Sequence, residues 1–131
     1  MIVLDTCAFI WDALSHKKLT NNAKRQIIQA EQKQQLMICD ITLWEVAMLV
    51  SKGRFTIGVS ASTFCQLAIQ ARNIEVLPIT PDIAERSVSF DHTINNDPAD
   101  RLIAATTIIH DAALVTADHN LRESPLLKTI W

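Results

Sequence analysis

Glycine is nearly absent from this chain, with 2 among 131 residues, beside 4 prolines and 3 cysteines. So few glycines exclude a collagen-like repeat and leave no glycine-rich loop to cradle a nucleotide phosphate. Cys7, Cys39 and Cys65 are odd in number and widely spaced, with no Cys-x-x-Cys pair. Neither a disulfide framework nor a structural zinc site is therefore expected, and a reducing cytoplasm is the expected setting. No apolar run reaches the roughly 20 residues that a membrane-spanning helix needs, so no membrane partner is expected. No charged leader is expected either, because Met1-Ile2-Val3-Leu4-Asp5 already reads as folded protein. A basic excess is also missing. Lys and Arg number 12 against 14 Asp and Glu, a formal charge of -2, which lacks the usual basic stripe of a nucleic-acid binder. Charge acts by location rather than by sum, however.

What is present is an ordinary globular composition, 49% hydrophobic and 20% charged. It is expected to form one domain over residues 1–131 that buries roughly two-thirds of its unfolded surface. Strand-length apolar runs alternate with longer stretches of helical period, the pattern of βα units around a parallel sheet. Strands are predicted at residues 2–5, 36–39, 74–77 and 113–116, with a weaker one near 127–130. Residues 21–34 and 60–71 read as helices with one buried face, and Pro81 opens another. Residues 43–50 and 102–109 are apolar nearly all round, so both are expected to be buried against the sheet or a partner subunit. Gly53 stands where the first of these should stop.

The acidic residues carry the chemistry. Asp5 closes the first strand and Asp118 follows the fourth. Ligands of an open parallel sheet bind outside the carboxyl ends of its strands, where the strand order reverses. Each aspartate would equally serve as a turn or helix cap. Glu45 is the only polar residue of its apolar run, yet Thr42-Leu43-Trp44-Glu45 also fits a capping box. In Asp97-Pro98-Ala99-Asp100, Asp97 suits the N-cap, Pro98 the first helical position and Asp100 the third. Glu45 and Asp100 are thus expected at equivalent first-turn positions, where the positive end of the helix dipole keeps carboxylates ionised.

If Asp5, Glu45, Asp100 and Asp118 converge, each like-charge pair at about 6 Å costs roughly 2–3 kcal/mol at an effective dielectric near 20. Such a cluster protonates or spreads unless a cation holds it. Oxygen donors without His or Cys at metal spacing favour Mg²⁺ or Mn²⁺ over zinc. The matching chemistry is hydrolysis of a phosphodiester. Without these four carboxylates the formal charge of -2 becomes +2, which is compatible with a polyanionic substrate.

Met1-Ile2-Val3-Leu4-Asp5-Thr6, Leu43-Trp44-Glu45-Val46-Ala47 with Lys52-Gly53-Arg54 after it, Asp97-Pro98-Ala99-Asp100-Arg101-Leu102-Ile103-Ala104-Ala105, and Leu114-Val115-Thr116-Ala117-Asp118 resemble PIN-domain ribonucleases. In order and interval they are most similar to the VapC-type toxins of toxin–antitoxin pairs, and the resemblance runs the length of the chain. It implies a three-layer α/β/α domain with a central parallel sheet and a Mg²⁺- or Mn²⁺-dependent endoribonuclease acting on RNA. By motif, Asp5, Glu45, Asp100 and Asp118 match the family's acidic quartet. Thr116 matches a hydroxyl that supports the last carboxylate, and Thr6 the polar residue after the first. Asp97 is a fifth acid beside the site, read as a helix cap rather than a ligand. The resemblance also implies a homodimer and a cognate antitoxin that covers the site, with DNA reached only through that antitoxin. Cys7 departs from the family, which often has a small hydroxyl residue there.

Other residues invite a binding role. Lys17, Lys18, Lys52, Arg54 and Arg101 are candidates for phosphate contact. His119 is a candidate for RNA contact or proton transfer, and Trp11 and Trp44 for stacking on a base. Each also reads plainly as a solvated side chain or, for the tryptophans, as packing. Among competing enzymes, a HAD-type phosphatase needs an aspartate where Cys7 stands. A phospho-receiver needs an aspartate ending the third strand, where the chain has Leu77-Pro78. The remaining alternative is a catalytically silent module of the same fold that binds RNA or a protein partner.

Overall fold

The computed structural model describes residues 1–131. Five strands, β1 (Ile2–Leu4), β2 (Leu36–Cys39), β3 (Glu75–Leu77), β4 (Ala113–Val115) and β5 (Lys128–Ile130), alternate with seven helices. The helices are α1 (Thr6–Leu14), α2 (Asn21–Gln32), α3 (Ile41–Ser51), α4 (Ala61–Arg72), α5 (Pro81–Ser89), α6 (Pro98–Ile109) and α7 (His119–Glu123). All strands pair in parallel in the order β3-β2-β1-β4-β5. The strand order therefore reverses between β1 and β4.

The period-two alternation of the strands builds the two cores. Ile2 and Leu4 of β1, Leu36 and Ile38 of β2, and Val115 of β4 face one layer, with Phe9, Ile27, Val46 and Phe64 of α1 to α4. Val3, Met37, Cys39 and Leu114 face the other, with Ile83, Ile103 and Leu121 of α5 to α7. This is the three-layer α/β/α architecture with a parallel centre. No helix is long and apolar enough to cross a membrane.

All five predicted strands form, four of them one residue shorter at an end. Asp5 leaves β1 to cap α1, although its N–H still bonds Val115 O at 3.1 Å. Gly53 ends α3 as expected, in the left-handed region at φ +71°, with Gly53 N–H to Val50 O and Arg54 N–H to Leu49 O, both 3.0 Å. With no other glycine to spare for such ends, Gln34, Asn73 and Asp111 take left-handed φ of 56°, 50° and 50° after α2, α4 and α6.

The two apolar helices part company. α6 packs against the sheet, with Ile103 through Thr107 buried. α3 buries only Thr42 and Val46, and Trp44 is 59% exposed. α3 is therefore only half covered within the chain: Val46 joins the core over β2, its flanks meet α1, α4 and α6, and its outer side stays exposed. Ile103 is fully buried between α6 and the strands, and Ile103→Ala should lose about 2–5 kcal/mol in urea unfolding. A loss under 1 kcal/mol would contradict this packing.

Candidate active site

The reversal in strand order opens a crevice at the carboxyl ends of β1 and β4, and the chain places Asp5 after one strand and Thr116 and Asp118 after the other. Asp5 is the N-cap of α1 and Asp118 that of α7. Asp5 Oδ1 accepts from Ala8 N–H at 2.8 Å, and Asp118 Oδ1 from Leu121 N–H at 2.9 Å. Asp97 caps α6 as expected, accepting from Asp100 N–H at 3.1 Å. The capping and cleft readings of these aspartates are therefore not rivals. A cap occupies one carboxylate oxygen and leaves the other.

Glu45 is placed differently from expectation. α3 starts at Ile41, so Thr42 is its second residue and no capping box forms. Glu45 is the fifth residue of α3, two positions further in than Asp100 in α6. Its carboxylate takes a hydrogen bond from the Thr6 hydroxyl instead. The Thr42 hydroxyl, fully buried, sits 3.3 Å from that of Thr6. Asp100, at the third position of α6, accepts from Asn95 Nδ2 at 2.9 Å.

Electrostatic coupling shows that the acids share one neighbourhood. Asp5, 8% exposed, has its pKa pushed up to about 6, first by burial and then by the charges of Asp100 and Asp118. The Thr116 hydroxyl and the Ala8 N–H work against that rise. Burial raises Glu45, with help from Asp100, Asp97 and Asp5, against the Thr6 hydrogen bond. Burial likewise raises Asp100, with Asp97 and Asp118 contributing. The Cys7 thiol is pushed up to about 12 by burial and then by Asp5, Glu45, Asp100 and Asp118, so it stays protonated beside the acids. The helix dipole does not restore Asp5 to the ordinary carboxylate range. A dipole contributes up to about 2 kcal/mol, whereas the shift at Asp5 corresponds to about 3 kcal/mol.

None of the four acids has a cationic partner, since the ion pairs of the molecule involve Asp12, Glu31 and Asp111. No three His, Cys, Asp or Glu side chains are arranged to grip a metal ion as they stand. The donor set is all oxygen, and the second oxygens of Glu45, Asp100 and Asp118 take no hydrogen bond from the chain. Mg²⁺ keeps several waters and needs only one or two direct carboxylates, so these residues fit it. Thr116, fully buried, joins the two strand ends: its hydroxyl accepts from Asp118 N–H at 3.1 Å and lies against Asp5.

Several candidates lie elsewhere. Arg101 turns inward, with Nε to Asn95 O at 2.7 Å, Nη1 to Phe90 O at 3.1 Å, and Nη2 to Asp91 O and Ile94 O at 3.1 and 3.0 Å. It is a brace for the loop before α6 rather than a phosphate contact. Trp11 packs on Trp131 at 5.9 Å with Lys18 over its ring at 5.7 Å. Lys17, Lys52, Arg54 and His119 stay exposed. A surface concavity of about 550 Å³ lies between α1 and α4 beside Phe64, Leu67 and Arg72 and holds none of the four acids.

Residues 2–125 match the family described as PIN domain. Ribonuclease VapC22 of Mycobacterium tuberculosis (strain ATCC 25618 / H37Rv) is 30% identical over 132 residues, covering 99% of this chain and 98% of that protein. VapBC2 from Rickettsia felis, solved bound to a DNA fragment from its promoter, aligns at a TM-score of 0.72 and 19% identity over 98% of this chain and 97% of that one. A toxin–antitoxin complex from Klebsiella pneumoniae aligns at 0.64 and 24% identity over 97% and 95%. The chain belongs to the PIN-domain family. Its similarity to VapC22 from end to end sets it with the VapC proteins of that family.

The raised pKa of Asp5 fixes a pH dependence. Between the ordinary value of 3.8 and about 6, the folded, metal-free protein holds a proton that the unfolded chain has released. Stability should therefore rise as pH falls from 7.5 through 6 toward 4, and Asp5→Asn should raise the melting temperature at pH 7.5 without metal. The gain is on the order of 3 kcal/mol or less, because asparagine still caps α1. Calorimetry in EDTA showing a less stable Asp5→Asn protein at pH 7.5 would refute this.

Proposed function

We propose that the protein is an endoribonuclease dependent on Mg²⁺ or Mn²⁺ and acts as the toxin of a toxin–antitoxin pair. The observation that carries it is the mutual electrostatic coupling of Asp5, Glu45, Asp100 and Asp118 at the switch point, with no basic side chain paired to any of them. Family membership and the name of the relative VapC22 support the reaction class.

Asp5, Asp100, Asp118 and Glu45 would hold the divalent ion, which supplies a Lewis acid for the attacking water and offsets charge on the phosphate oxygens. Asp5 is fixed by the α1 cap and by Thr116, so its carboxylate enters the site without loss of side-chain freedom on binding. Thr6 fixes Glu45 in the same way. Glu45, raised in pKa and with Oε2 free, is the carboxylate suited to take a proton from water as its oxygen bonds phosphorus. The P–O bond to the leaving oxygen would then break, that oxygen taking a proton from a second water whose hydroxide receives the proton held by Glu45. Asp97 adds negative charge at the rim and caps α6.

In a metal-supplemented assay on total RNA, Mg²⁺ or Mn²⁺ should support cleavage. Asp5→Asn and Asp118→Asn should each reduce it by at least 100-fold while retaining helical circular dichroism. Cleavage that persists in EDTA, or in either variant, would overturn the assignment. RNA binding without products under any divalent ion would favour the silent module of the same fold.

The partners follow from the same reading. The neighbouring structures include a toxin–antitoxin complex and two VapBC structures bound to DNA, which supports an antitoxin partner through which DNA is reached. A cytoplasmic setting suits three unpaired cysteines. The exposed apolar side of α3 around Trp44 supports a homodimer. Sedimentation at micromolar concentration should give a dimer that Trp44→Glu converts to monomer. A monomeric parent protein would exclude it.

A further inference from the structure

We infer that Asn95 is a positioning residue that sets the Asp100 carboxylate against Asp118 for the divalent ion, an inference that rests on the nuclease reading above. Asn95 sits in the loop between α5 and α6 and engages nearly every polar atom it has. Its Nδ2 donates to Asp100 Oδ2 at 2.9 Å, and its Oδ1 accepts from Asp97 N–H at 2.9 Å. Its N–H donates to Asn120 Oδ1 at 2.9 Å, and its carbonyl accepts from Arg101 Nε at 2.7 Å. Asn120 belongs to α7, two residues after Asp118, and also donates through Nδ2 to Thr93 O at 2.9 Å.

A single residue thus touches the Asp100 carboxylate directly and the Asp118-bearing helix through its backbone. The turn is not left to the loop's own preferences. Arg101 anchors it from α6 with four bonds to the carbonyls of Phe90, Asp91, Ile94 and Asn95. The Nδ2 bond fixes one oxygen of Asp100 and leaves Oδ1 without a donor from the chain. Donors of this kind orient metal-binding carboxylates, and their loss typically lowers metal affinity or activity 10- to 100-fold.

The direct bond and the turn are separable. Asn95→Ser keeps a short oxygen that accepts from the residue two positions on, but cannot reach Asp100. Asn95→Ala loses both. Mn²⁺ titration calorimetry on the intact protein should show about tenfold or weaker binding for both variants. The metal-free melting temperature should fall only for Asn95→Ala. RNA cleavage by Asn95→Ser should be impaired at low Mn²⁺ and recover toward the parent rate as Mn²⁺ is raised. Asn120→Ala, which cuts the tether to α7 but spares the Asp100 bond, should weaken Mn²⁺ binding in the same direction.

Parental Mn²⁺ affinity in Asn95→Ser would overturn the role of Asn95, because the turn alone would then suffice. Parental affinity in Asn120→Ala would overturn the link to Asp118. A parent protein that neither binds Mn²⁺ nor cleaves RNA would overturn the nuclease reading itself and this inference with it.

Discussion

Four carboxylates gathered without a counter-charge are the interaction on which the rest of the structure turns. Their mutual repulsion and the burial of Asp5 oppose folding, and Asp5 alone is displaced to about 6. The chain supplies no lysine or arginine to relieve this. It spends hydrogen bonds instead: Ala8 N–H and Thr116 on Asp5, Thr6 on Glu45, Asn95 on Asp100, and Leu121 N–H on Asp118. A basic side chain would have neutralised the site more cheaply.

Helix starts make this arrangement possible in so small a fold. α1, α6 and α7 begin with Asp5, Asp97 and Asp118 as caps, so three N-termini meet the crevice at the β1–β4 switch. Each contributes partial positive charge and unpaired N–H groups. The effect is enough to hold the acids in place, but not enough to cancel desolvation, as the raised values of Asp5 and Asp100 demonstrate. Because a cap engages a single oxygen, the same residue can fold the helix and face the cleft.

Local rules made the strands and the aspartates legible. An apolar run ending in Asp5, a run ending before Asp118, and Asp97-Pro98 at a helix start need only their immediate neighbours to be read. Glu45 was misplaced because its capping partner was sought nearby, at Thr42, whereas the hydroxyl that holds it is 39 residues away, at Thr6. Arg101 looked like a phosphate ligand because nothing local shows the loop of residues 90–96 folding back over its guanidinium. Asn95 carried a partial signal, an asparagine two residues before the Asp97 cap, which suits a tight turn. Its bond to Asp100 emerges only once that turn has formed. The dissenting case is α3, whose composition is apolar nearly all round although only its inner side, through Val46, joins the core.

That exception is consistent with the division of labour in the two cores. β1, β2 and β4 have both faces covered by residues drawn from α1 to α4 on one side and α5 to α7 on the other. Val46 is the buried share of α3 in that cover, with Leu43, Leu49 and Val50 half-buried at its edge. Only Thr42 and Val46 are fully buried, and both lie on the side that also presents Glu45's partner Thr6. The inward side of α3 is thus committed to placing one carboxylate, and its apolar outward side is free for a subunit contact.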